Sequence, residues 1–123
     1  MKTLTDFIGI PYDLQNKKGL NCYTLVQKVS KELFNQEIPD YSCPKTLEEA
    51  YKAIEQNKIK WKKIKKPEAG AAVLLKLGKY QHIGLMISST HFIHVLEKSN
   101  STVESIHSFL WQKRIIGFYR YQS

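Results

Sequence analysis

The chain has 123 residues, 42% of them hydrophobic, and a formal net charge of +8. That length suits one domain with a single core, spanning residues 1–123, and the composition excludes a disordered chain. No stretch approaches the ~20 apolar residues of a membrane-spanning helix. Two cysteines, Cys22 and Cys43, are too few for a disulfide framework.

Along the chain, Met1-Lys2-Thr3-Leu4-Thr5-Asp6 lacks the apolar run of a secretory signal. This predicts cytoplasmic synthesis, after which the chain stays in the cytoplasm or is exported by a machine that needs no such signal, unless a signal has been trimmed. Residues 6–20 read as a loop punctuated by Gly9, Pro11 and Gly19. Leu25, Val26, Val29 and Leu33 then recur at helical spacing, predicting a helix from Asn21 to Phe34 with Asn21 as its N-cap. Pro39 and Pro44 bracket an irregular connection. Thr46-Leu47-Glu48-Glu49 is a capping box that opens a second helix to about Gln56. Beyond it the period changes to two. Strands are predicted at Lys58–Ile64, Ala71–Leu77, His82–Ser88, His91–Leu96 and Ile115–Tyr121, with a hairpin turn at Ser89-Thr90. Ser99–Lys113 reads as a loop with a short helix around Ser105–Trp111. Helices followed by strands imply an α+β domain with an antiparallel sheet.

Cys22 falls in the first turn of the first helix. Free backbone N–H groups there favour an anion, and a thiol so placed can have its pKa lowered to roughly 3.5–7.5. A cysteine at a helix start is also often a small buried hydrophobe. Downstream, His82 and His94 stand in strands. A hairpin centred on Ser88 places them opposite one another on one face, where one imidazole can fix the tautomer of the other. His94 also fits a satisfied core histidine between Phe92 and Leu96. His91 faces away and His107 lies in the late loop. No CxxC or HxxxH spacing suggests zinc, and no cofactor is implied.

The excess charge concentrates in Lys58-Ile59-Lys60-Trp61-Lys62-Lys63-Ile64-Lys65-Lys66. A nucleic-acid patch and a polyanion-binding surface are both compatible with it. A strand edge with Ile59, Trp61 and Ile64 inward and lysines outward fits better, because no nucleic-acid motif surrounds it.

Four blocks together resemble the NlpC family of papain-like cysteine peptidases. They are Phe7-Ile8-Gly9-Ile10-Pro11-Tyr12, Gly19-Leu20-Asn21-Cys22-Tyr23-Thr24-Leu25-Val26, Pro67-Glu68-Ala69-Gly70-Ala71, and Gln81-His82-Ile83-Gly84 with Phe92-Ile93-His94. Ile116-Gly117-Phe118-Tyr119-Arg120-Tyr121 resembles the family's closing strand. Asn21 stands where Asp is usual, Thr24 where Gly is usual, and Ala71 where Asp is usual. The resemblance implies N-terminal helices packed on a central antiparallel sheet of about five strands. It implies Cys22 as nucleophile, His82 as base and His94 as its orienter, with Tyr12 and Asn21 as substrate- or oxyanion-binding residues. The implied reaction is cleavage of a peptidoglycan stem-peptide amide next to D-γ-glutamyl, before diaminopimelate or lysine. The pattern is most similar to short phage-tail members, which implies tail or secretion-machine partners and a site of action in the virion tail, periplasm or cell wall. An inactive tail or assembly component and a basic polyanion-binding module on the same fold are the competing readings.

Overall fold

The computed structural model describes residues 2–38 and 61–121. The predicted second helix, Pro39, Pro44, Cys43 and the Lys58–Lys60 start of the basic run lie outside the described residues. A 3₁₀ turn spans Leu4–Phe7, and helix α1 spans Cys22–Phe34. Strands follow at β1 (Trp61–Ile64), β2 (Ala72–Leu77), β3 (Tyr80–Met86), β4 (His91–His94), β5 (Thr102–Ser105) and β6 (Ile115–Tyr121). They form one six-stranded sheet in the order β1-β6-β2-β3-β4-β5, antiparallel throughout. Among the described residues no helix is long and apolar enough to cross a membrane.

Helix α1 is what its sequence dictates at both ends. The Asn21 side chain accepts the Thr24 N–H, and Asn35 closes the last turn in the left-handed conformation at φ 52°. Thirteen residues are marginal as an isolated helix, so packing must hold it. Leu25, Val26 and Val29 are fully buried against the sheet, each contributing about 1.5–3 kcal/mol.

Strand alternation divides the core between two faces. Ala72, Leu74, Ile83, Leu85, Ile93 and Val95 join α1 on one side. Val73, Leu75, Met86, Phe92, Ile106 and Trp111 fill the other. Strand β1 is an edge strand, as its lysines suggested, with Lys62 and Lys63 exposed. Its two inward residues go to opposite faces, Trp61 to the helix side and Ile64 to the other, because three positions separate them.

Two differences from the sequence reading bear on function. The Ser99–Lys113 segment contains β5, and residues 106–114 are turns rather than a helix. Four residues at a sheet edge carry too little period to be read from sequence. The β3–β4 register pairs Leu85 with Ile93 and Met86 with Phe92, one position beyond a hairpin centred on Ser88. Extended, it sets His94 opposite Gly84 rather than His82. The tight turn explains the shift: Ile87 N–H donates to the His91 carbonyl, and Ser88 Oγ accepts the Thr90 and His91 N–H groups. A two-residue offset leaves both histidines on the same face.

The N-terminal segment is laced to the β4–β5 connection. Gly9 N–H donates to the Ser101 carbonyl at 2.9 Å, Ile10 N–H to Ser101 Oγ at 2.8 Å, and Tyr12 N–H to the Ser99 carbonyl at 2.9 Å. The Ser101 hydroxyl in turn donates to the Phe7 carbonyl. Gly19 lets this segment cross the approach to α1, since a Cβ there would lie 1.9 Å from the Pro11 carbonyl oxygen.

Gly84 is equally constrained. A Cβ would stand 2.8 Å from the Phe92 ring and 3.1 Å from the Ile93 carbonyl oxygen. Phe92 is fully buried and has nowhere to yield. Gly84→Ala should therefore lower Tm by on the order of 5–10 °C in a thermal melt; an unchanged Tm would show that Phe92 relaxes freely.

Candidate active site

The loop before α1 is a built platform. Asp13 accepts N–H groups from Gln15, Lys17 and Lys18, curling the chain back. Asn16, at φ 58°, accepts the Asn21 N–H through Oδ1 and donates from Nδ2 to the Thr24 hydroxyl. The bulk at Thr24 thus ties the loop to the helix rather than standing idle. The Asn21 amide donates to the Leu14 carbonyl while its oxygen caps Thr24. Both ends of that side chain are engaged within the turn, so Asn21 fixes where the helix begins. Ala71, the third departure, is buried in the apolar cluster opposite α1.

This platform sets Cys22 at the tip of α1, 3% exposed and a free thiol. Its sulfur lies against the peptide joining His82 to Ile83. The amides of Ile83, Tyr23 and Cys22 itself are directed at it. The β3–β4 ladder runs only through Leu85–Ile93 and Met86–Phe92, so Ile83 lies beyond its last pair.

His82 and His94 stand on the face away from α1. His82 Nε2 and His94 Nδ1 are 2.9 Å apart, and both residues are 1% exposed. His94 Nε2 is hydrogen-bonded to Glu104 Oε2. Glu104 pairs across the ladder with Phe92, two positions from His94's own partner Thr102, so its carboxylate reaches His94 along the diagonal. Trp111 covers the pair, its ring centroid 5.1 Å from His94 and 6.4 Å from His82. Among the described residues its indole N–H is buried without a partner. His91 is exposed and bonded to its neighbour Thr90, and His107 is exposed in the turns after β5. Tyr12 bridges to Leu20 and packs against the cluster that contains Cys22.

The structure joins His82 to His94, sets Cys22 against the Ile83 amide with Tyr12 packed on the same core cluster, and adds Glu104 and Trp111 around the histidine pair, which the sequence reading missed. The β-branched pair Thr102-Val103 was the available signal for β5, and with it the facing of Glu104. Trp111 carried none beyond being a tryptophan in a polar stretch.

The sequence profile of the NlpC/P60 family matches residues 9–120. The chain belongs to the NlpC/P60 family. It is 26% identical over 117 residues to Murein DD-endopeptidase MepS/Murein LD-carboxypeptidase of Escherichia coli (strain K12), and equally to its counterparts in strains O6:H1 and O157:H7. The alignment covers 93% of this chain and 57% of each relative, so the chain spans little more than half their length. Among solved structures, an NLP/P60-family protein similar to lipoprotein from Staphylococcus aureus subsp. aureus Mu50 superimposes with a TM-score of 0.62. It is 18% identical and covers 96% of this chain and 38% of its own; the likeness is one of fold. The NlpC/P60 fold here is α+β, as expected, with six strands instead of five.

The electrostatics of this site differ from the helix-end expectation. Burial pushes the Cys22 thiol up to about 11, and the amides of Ile83, Tyr23 and Cys22 only partly offset it. Desolvation of a thiolate outweighs the dipole here. Burial likewise pulls His82 down to about 3, assisted by the neighbouring His94. His94 is also lowered by burial, against the opposing pull of the Glu104 bond and charge. At neutral pH the resting site holds a neutral thiol and two neutral imidazoles.

Two outcomes follow. Iodoacetamide labelling of Cys22, tracked by peptide mass spectrometry, should be slow at pH 7 and rise with a midpoint above pH 9. A midpoint between pH 5 and 7.5 would restore the depressed thiol. In the unfolded chain His82 titrates near its ordinary 6.5, and in the folded chain near 3. Its contribution to stability is complete above about pH 6.5 and is lost as pH falls toward 3. Each unit of that offset is worth about 1.4 kcal/mol. His82→Gln should therefore flatten the fall in Tm between pH 7 and 4, whereas parallel curves for variant and parent would exclude a buried neutral His82.

Proposed function

We propose that the protein is a peptidoglycan hydrolase that cleaves an amide of the stem peptide through an acyl-enzyme on Cys22. The observation that carries this reading is the meeting of the Cys22 sulfur, at the start of α1, with the peptide of His82, whose ring is hydrogen-bonded to His94 at 2.9 Å. Family membership and the murein relatives support the substrate class.

In this reading His82 takes the Cys22 proton as the sulfur attacks the amide carbonyl. The C–N bond breaks as His82 returns that proton to the leaving amine. Water, deprotonated by His82, then releases the acid and frees the thiol. Because the resting pair is neutral, proton transfer accompanies attack instead of preceding it. Backbone N–H groups at the helix start would stabilise the oxyanion, with Tyr12 positioning the carbonyl. His94 orients His82.

The bond assigned from the sequence pattern is the one after D-γ-glutamyl, before diaminopimelate or lysine. The relatives' name, DD-endopeptidase, favours a second bond, the cross-link between stems. Mass spectrometry of muropeptide digests separates them: the first yields disaccharide-dipeptides, the second converts dimers to monomers. The likeness of the Phe7–Tyr12 and Leu20–Val26 blocks to phage-tail members extends the proposal to delivery by a tail or injection machine, where the enzyme would open the wall locally.

Cys22→Ala should abolish muropeptide cleavage while leaving Tm within a few degrees, because removing one sulfur leaves little cavity. Continued release of fragments by that variant would overturn the assignment.

A further inference from the structure

We propose that Glu104 is a positioning residue that fixes, through His94, which ring nitrogen of His82 carries its proton. The proposal rests on the cysteine-peptidase reading above for its consequence, though not for its geometry. A carboxylate can only accept a hydrogen bond, so the bond between Glu104 Oε2 and His94 Nε2 places a proton on Nε2. A neutral His94 then has a lone pair on Nδ1. That nitrogen is 2.9 Å from His82 Nε2, so His82 Nε2 must be the donor. A neutral His82 that carries its proton on Nε2 has its lone pair on Nδ1, and in the cysteine-peptidase reading Nδ1 is the nitrogen left to take up a proton. Reversing any one bond in the chain reverses the rest and leaves an N–H on His82 Nδ1 instead of a base.

Among the hydrogen bonds of the described residues, the one to Glu104 is what sets this direction. Phe92 lies 4.7 Å from the His94 ring and Trp111 covers both histidines; neither accepts a hydrogen bond. Arg114 stacks over the outer face of Trp111, 5.8 Å from its ring, and pairs with neither imidazole in the described bonds. Two imidazoles alone would be free to exchange direction. Glu104 breaks that symmetry, and at 30% exposure on the edge strand β5 it does so without being fully desolvated. The carboxylate also stabilises the imidazolium that forms transiently in the pair during proton transfer.

The test reads tautomers directly. In long-range ¹H–¹⁵N NMR spectra of the ¹⁵N-histidine-labelled protein, His82 and His94 should both carry the proton on Nε2. Glu104→Gln retains shape but offers His94 a donor as well as an acceptor, so both tautomers should be populated. With kcat/KM measured on one muropeptide, kcat should fall about 10–100-fold, the range typical of lost orienting partners, with KM within about twofold. Glu104→Asp should recover part of the loss. Glu97→Gln, which removes an exposed charge nearby, should change neither readout. Tautomers that are the same in Glu104→Gln, Glu104→Ala and the parent would overturn the proposal, as would tautomers that change with kcat intact. The NMR arm needs no catalysis, so a failure of the hydrolase reading, shown by an active Cys22→Ala, would be seen separately. If Glu104→Gln perturbs the fold, the tautomer ratio in Glu104→Asp decides.

Discussion

Two residue pairs hold β4 to β3, and the site depends on there being no more. Had the ladder continued past Leu85–Ile93, the Ile83 region would have been paired with β4 and closed to the tip of α1. Because it stops, the Ile83 amide is available to the Cys22 sulfur. The same early stop lets His82 and His94 approach along a diagonal. Gly84 makes the stop possible, since the Phe92 ring folds over the position where a side chain would stand. A packing requirement on one face of the sheet thus creates a hydrogen-bonding opportunity at its edge.

Much of this was legible in the sequence because it depends on local period. Leu25, Val26 and Val29 marked the buried face of α1, and the runs in β2, β3 and β6 showed strand character. The shared face of His82 and His94 was legible because parity survives an even register error; their exact opposition was not, because it depended on how Ser88 organises the turn. Strand β5 was missed because four residues at an edge give barely one cycle of alternation, and Glu104 was lost with it. The upward push on the Cys22 thiol was not legible for a different reason. A helix N-terminus is a local feature, but the burial that outweighs it comes from β3 and the core cluster around Ile83, which no window around Cys22 contains.

A buried, uncharged thiol and a pair of buried, uncharged imidazoles form a resting state that avoids the cost of desolvated ions. Its reactivity is then tied to events that alter the environment of the sulfur, of which the arrival of a polar carbonyl is the natural one. In the proposed hydrolase, specificity would come from what can reach the thiol, more than from how nucleophilic it is while waiting.

The lacing at Ser101 sets the order in which the protein can be made. Its hydroxyl joins partners 91 and 94 positions earlier in the chain, among the longest closures the fold requires. During synthesis Cys22 leaves the ribosome long before Ile83 and longer still before Ser101. Until then it is an ordinary solvated cysteine on a helix with nothing to pack against, and ordinary cysteines are readily oxidised. The nascent chain is therefore more chemically exposed than the finished one, because the strand that quiets the sulfur emerges well after it.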